Sequence, residues 1–256
     1  MPRFRVSIPL LLGLLAVGTA ARAAAPYIGV APKGTPGQAE HTVKSSCSGC
    51  HGVHGEAPAP AFPNLAGQSY NYLLKELEDF RSGARQASPM SAMIKGVPKA
   101  KGDGNLQNLA AYFAAQKPER GHAGDGFRRS SIEQGRRVFQ GGVRARQVPA
   151  CAACHMQDGT GMAPMAVPAL AGQHAAYLEQ QLERFAGGKR DNSPGHVMQL
   201  IAGRMKKGEM QAVADYLQVL HPRQMPTTYS GVIKESKTDP APGVPPSAVR
   251  AKGESQ

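Results

Sequence analysis

Four cysteines occur in 256 residues, and they fall in two pairs of one form: Cys47-Ser-Gly-Cys50-His51 and Cys151-Ala-Ala-Cys154-His155. Two thiols three positions apart on one turn of chain can reach the two vinyl groups of a single haem and form thioethers. The next residue then projects beneath the ring, where its imidazole ligates iron. This is the attachment signature of c-type haem. Three other uses of paired cysteines explain less. A thioredoxin-like redox pair needs a strand-to-helix context, which the sequence does not show. A single four-cysteine zinc site is disfavoured by the histidine after each pair and by the 104 residues between the pairs. Structural disulfides suit an exported chain but leave both histidines unexplained. Two covalent haems c are therefore expected, with all four thiols consumed.

The two halves match beyond these pentapeptides. Leu65-Ala66-Gly67-Gln68 recurs as Leu170-Ala171-Gly172-Gln173, 105 residues on. Tyr72, Leu73, Leu77 and Phe80 recur as Tyr177, Leu178, Leu182 and Phe185, and Gly83-Ala84-Arg85 is echoed by Gly188-Lys189-Arg190. Ala110-Ala111-Tyr112-Phe113 parallels Ala214-Asp215-Tyr216-Leu217. Two similar units of about 100 residues follow, an ordinary domain size.

Each unit reads as helical. The Tyr72/Leu73/Leu77/Phe80 set and its copy put apolar residues on one face at a period of 3.6, and both stretches end near glycine. Further amphipathic helices are expected near 106–116 and 209–220. Ser130 and Glu133 resemble a capping box opening a helix on which Gly135 and Phe139 share a face. No alternating strand pattern of useful length appears, so the fold class is all-α. Aromatic residues are 5% and tryptophan is absent. Cores this short of bulk suit a chain in which haem supplies part of the apolar interior.

Residues 1–25 read as a secretion signal: Arg3 and Arg5, then an apolar run from Ile8 to Val17 too short to span a bilayer, then small residues. Residues 26–120 and 121–222 are the two expected domains, with a short linker from Pro118 to Gly126. Residues 223–256, rich in proline, lysine and serine, read as an extended tail. The net charge is +12; cleavage after Ala23 removes Arg3, Arg5 and Arg22 and leaves +9. The basic residues are scattered among acids with no recognition motif, so nucleic acid is not the expected partner. A docking face for an acidic redox protein, or plain solvation, fits better. The location expected is the periplasm, with room for peripheral membrane association.

A haem that only carries electrons needs a second axial ligand, usually a methionine thioether. Met90 and Met93 lie between the two repeated helices of the first half, in Ser88-Pro-Met-Ser-Ala-Met93. Met198 occupies the matching stretch of the second half, with Met205 as the alternative and His196 as a candidate for bis-histidine ligation. Met156, Met162 and Met165 follow the second pentapeptide too closely to reach over the ring, and His54, His174 and His221 are taken as surface histidines.

The order of features is a helix, CxxCH, Pro-x-Leu-Ala-Gly-Gln, a Tyr-Leu helix, a Met-bearing loop and an Ala-x-Tyr helix, done twice. It resembles the dihaem cytochrome c4 family, and also the dihaem subunits of some periplasmic dehydrogenases, over residues 40–221. The resemblance implies two tandem class I cytochrome c folds packed on each other, each wrapped around one covalent haem. It implies His51 and Met90 as axial ligands in the first half and His155 and Met198 in the second. Pro63 and Pro168, 12 and 13 residues after those histidines, would offer backbone carbonyls to them. It also implies haem propionates facing a shared interface, which must then be polar and hydrogen-bonded. The expected role is a periplasmic electron carrier, not an enzyme. It would serve respiratory partners such as a terminal oxidase or a dehydrogenase and take no small-molecule substrate. The alternative is the electron-accepting dihaem subunit of a periplasmic dehydrogenase. A dihaem peroxidase would need an open haem position, which methionines in both loops argue against.

Overall fold

The computed structural model describes residues 33–99, 104–118 and 129–221. The signal segment, the tail beyond 222 and most of the linker lie outside the described residues. Among the described residues every regular element is helical, and the only β pairing is two isolated bridges, Val143 with Val148 and Met162 with Val167. No described helix is long and apolar enough to cross a membrane.

The first half opens with consecutive helical turns. A 3-10 turn, Pro36–Ala39, leads into α1 (Glu40–Thr42), a π-turn (Val43–Cys47) and α2 (Ser48–His51). The Tyr-Leu stretch forms α3 (Tyr70–Ser82). Ser69 caps it by accepting the Tyr72 N–H at 3.2 Å, and Gly83 ends it in the left-handed region, as the sequence signals require. A short helix, α4 (Met90–Gly96), precedes α5 (Gly104–Ala114). Val43, Leu73, Leu74, Phe80, Leu106 and Phe113 are buried together as the first core.

The second half repeats the plan with α6 (Arg129–Gly141), α7 (Ala152–His155), α8 (Ala175–Ala186), α9 (Val197–Ala202) and α10 (Lys207–Val219). Here α6 stops short of the cysteines, and a loop over 142–150 with its own bridge carries the chain to α7. Gly135 and Phe139 do share the face that meets α10. A Cβ on Gly135 would overlap the Ala212 carbonyl, so only glycine lets the two backbones approach this closely. Phe139 is fully buried against the Tyr216 ring, 5.6 Å between centroids. The capping box at Ser130 does not form: α6 is already under way at Arg129, and Ser131 instead donates to Asp215 of α10 at 2.5 Å. That tertiary bond uses the hydroxyl next along the helix.

Equivalent backbone ties close both halves. The Gly67 N–H donates to the Phe113 carbonyl at 3.0 Å, and the Gly172 N–H to the Leu217 carbonyl at 2.9 Å. The Gly55 carbonyl accepts from Leu65 and Ala66, and the Gly159 carbonyl from Leu170 and Ala171. The repeated Leu-Ala-Gly-Gln segment is thus the knot that fastens the loop after each CxxCH motif to the last helix of its half.

Candidate functional site

In each half the second cysteine and the histidine lie in one short helical turn, with the first cysteine at its N-cap. All four thiols are free of disulfides. Both imidazoles are buried, and each Nδ1 lies 3.0 Å from a proline carbonyl: His51 from Pro63 and His155 from Pro168. A carbonyl only accepts, so Nδ1 carries the proton and Nε2 keeps the lone pair a metal needs. Burial holds both imidazoles below their ordinary pKa, against the opposing pull of the proline carbonyls. Burial also pushes the Cys47 thiol up, and the Cys151 thiol up to about 11. Neutral imidazoles and neutral sulfurs fit a pocket that takes in a large apolar ring.

One strain accompanies this turn. Gly52 follows His51 at φ 72, ψ 157, a region almost reserved for glycine, while its counterpart after His155 is Met156 at φ 64, ψ 158. Met156→Gly should therefore stabilise the protein by about 1 kcal/mol. Guanidinium unfolding of the haem-loaded chain measures this, and an unchanged or lower midpoint would count against the strain.

The methionines separate by burial. Met90 opens α4, is half-buried and packs against the first core, as Cys47 does. Met93, three residues on, is 43% exposed. Met198 lies in α9, half-buried against Phe185, Ala202 and Met210, and its N–H donates to Ser193. Met205 is the alternative ligand of the second half. It sits in the turn between α9 and α10, half-buried, and bridges this cluster to the one containing Cys151. His196 is exposed and paired with Asp191 at 2.7 Å. His54 and His221 are exposed as expected, but His174 is not a free surface histidine. Its Nε2 lies 3.1 Å from the Ala57 carbonyl of the other half.

That contact belongs to an interface that is polar and built with near two-fold symmetry. The Gln68 amide bonds both the N–H and the C=O of Ala169, each at 3.0 Å. The Gln173 amide bonds both the N–H and the C=O of Asn64, each at 2.9 Å. Arg85 donates to the Tyr177 hydroxyl at 3.1 Å, and Arg190 to the Tyr72 hydroxyl at 3.2 Å. Each arginine also stacks on the phenylalanine of its own half, Arg85 on Phe80 and Arg190 on Phe185. The symmetry breaks at the charged centre, among other positions. Glu76 accepts from Arg85 at 2.6 Å and pairs with Arg190 at 3.2 Å, while its counterpart is Gln181. Burial pushes the Glu76 carboxyl up, but Arg190, Arg85 and Lys75 outweigh it and hold it well below the usual carboxylate range. The sequence pattern assigned none of these residues to the interface. The signal was in the repeat: polar residues kept twice at one offset are those that meet across a pseudo-dyad.

A cytochrome c family model matches residues 38–116 and 132–221, one match per half. A curated cytochrome c4 of Pseudomonas aeruginosa is 38% identical over 222 residues, covering 86% of this chain and all of the relative. The chain belongs to the cytochrome c4 family. The reduced cytochrome c4 of Pseudomonas stutzeri superposes with a TM-score of 0.67 at 35% identity, over 74% of this chain and all of that one. A thiosulfate dehydrogenase electron acceptor of Stutzerimonas stutzeri is 37% identical over 67% of this chain and 77% of its own length. The all-α fold is thus two tandem cytochrome c domains, and the protein is a dihaem c-type electron carrier rather than an enzyme. It exchanges electrons with redox partner proteins.

Proposed function

We propose that the chain is a periplasmic relay in which His51 and Met90 ligate one iron and His155 and Met198 the other. Cys47 and Cys50 tether the first haem, and Cys151 and Cys154 the second. The observation that carries this reading is the histidine geometry, the same in both halves. Each imidazole gives its Nδ1 proton to a proline carbonyl, Pro63 or Pro168, and keeps Nε2 for the metal. Each haem supplies a one-electron ferric/ferrous couple. Cys47, Cys50, Cys151 and Cys154 would hold the two haems, His51 and His155 would bind iron through Nε2, and Met90 and Met198 would supply soft thioethers. A thioether favours ferrous iron and raises the potential, as a carrier requires. Haem carboxylates turned toward the interface would meet a polar surface that includes the Tyr72 and Tyr177 hydroxyls. We assign residues 26–120 and 121–222 to the two domains, and residues 1–25 to an export signal that places the protein in the periplasm.

The double variants Cys47→Ala/Cys50→Ala and Cys151→Ala/Cys154→Ala test the attachment sites. Each should bind one covalent haem where the parent binds two, read as intact mass and as pyridine haemochrome per chain. A double variant that keeps two would contradict the assignment. A second reading, a standing electron-accepting subunit of a dehydrogenase, draws support from the relative that bears such a name. Co-purification of the native protein in a fixed ratio with a dehydrogenase would favour it; isolation as a free chain favours the carrier.

A further inference from the structure

The two histidine anchors do not end within their own halves. The peptide unit between Pro168 and Ala169 accepts at its C=O from His155 Nδ1, at 3.0 Å, and donates its N–H to Gln68 Oε1, at 3.0 Å. The peptide unit between Pro63 and Asn64 does the same in mirror form, from His51 Nδ1 at 3.0 Å to Gln173 Oε1 at 2.9 Å. Each histidine is thus one peptide away from a glutamine of the opposite half. Both glutamines are 7% exposed, and each is held by the next backbone N–H, Ser69 to Gln68 at 2.8 Å and His174 to Gln173 at 3.0 Å. Hydrogen bonds in series polarise one another at low dielectric, by perhaps 10–30% per bond. An acceptor on a peptide N–H makes the C=O of the same peptide a better acceptor.

We propose that Gln68 and Gln173 are crossed positioning residues. Gln68 strengthens the hydrogen bond that anchors His155, and Gln173 the one that anchors His51, so each half tunes the potential of the other half's haem. The inference rests on the reading that these histidines ligate iron. A stronger bond at Nδ1 gives the imidazole more anionic character, which favours ferric iron and lowers the potential. The half that carries a given haem therefore sets only part of its potential.

The test uses the full dihaem protein and two variants, Gln68→Leu and Gln68→Glu. Both lose the Nε2 donor to the Ala169 carbonyl, but the carboxylate keeps, and strengthens, the acceptor facing the Ala169 N–H. The imidazole Nδ1–H resonances of the ferrous protein are read first. The His51 signal is assigned through its contacts with Phe62, whose ring lies 6.2 Å away. Gln68→Leu should move the His155 signal upfield and Gln68→Glu downfield, with the His51 signal still. The potential of the His155 haem should rise in Gln68→Leu by a two- to threefold change in its reduction equilibrium, about 18–28 mV at 59 mV per tenfold. It should fall in Gln68→Glu. Shifts of the same sign in both variants, a shift centred on His51, or no shift would overturn the inference. If Gln68→Leu does not load two haems, the downfield movement in Gln68→Glu decides alone. Absence of both Nδ1–H signals from the parent protein would instead sink the ligation reading.

Discussion

Met90→Ala should abolish about half of the sulfur-to-iron charge-transfer absorption of the oxidised protein, and Met198→Ala the other half. The potential of the affected haem should drop by roughly 0.1–0.3 V, part of the ~0.8 V range that axial ligands command. The structural basis is the burial difference along each loop. Met90 packs against the first core, whereas Met93 is 43% exposed. Met198 packs inward on Phe185, whereas neighbouring Val197 and Leu200 face outward. Near-infrared absorption and a spectroelectrochemical titration read both effects. Loss of the band in Met93→Ala would reassign the first ligand, and loss in Met205→Ala the second.

Glu76→Gln should cost about 3 kcal/mol at pH 7, the low end for breaking a buried ion pair, because glutamine keeps one acceptor. The carboxylate faces Arg85, Arg190 and Lys75 in an interior where unmatched charge is expensive. Its folded pKa lies below its unfolded one, so its contribution is complete above the ordinary glutamate range near pH 4.3 and is lost as pH falls through the folded value. The gap between parent and variant should therefore be full at pH 7 and narrow below about pH 4. Guanidinium unfolding at the two pH values measures it. Adding Gln181→Glu should restore most of the loss, since Gln181 already accepts from both arginines at 2.9 and 3.0 Å. A Glu76→Gln protein as stable as its parent would show that the cluster is not held by this carboxylate.

The covalent part of the site was plain in the sequence because its chemistry fixes spacing. Thioether attachment demands CxxCH, and the family resemblance implies a proline carbonyl a dozen residues later; the structure places both pairs at 3.0 Å. The helices were legible because their apolar faces are periodic, as at Leu73, Leu77 and Phe80. What could not be read depends on partners distant along the chain. Ser130 looks like a cap until Asp215 comes within reach of its neighbour Ser131. His174 looks like a surface residue until the Ala57 carbonyl faces it. Tyr72 and Tyr177 look like core fillers on their helices, yet their hydroxyls receive the arginines of the opposite halves. The π-turn that delivers Cys47 has no residue signature of its own, and the chain enters Cys151 by another route.

The interface joins the halves through glutamine side chains that bond the opposite backbone, Gln173 at Asn64 and Gln68 at Ala169. On the proposed reading the two haems act as one unit. Its most direct test is a fast-mixing experiment in which the oxidised protein receives less than one equivalent of a one-electron reductant. The redistribution of the electron between the two haems should be first order, with a rate that does not change with protein concentration. A redistribution rate proportional to protein concentration would mean that electrons pass only between molecules, and would contradict the relay.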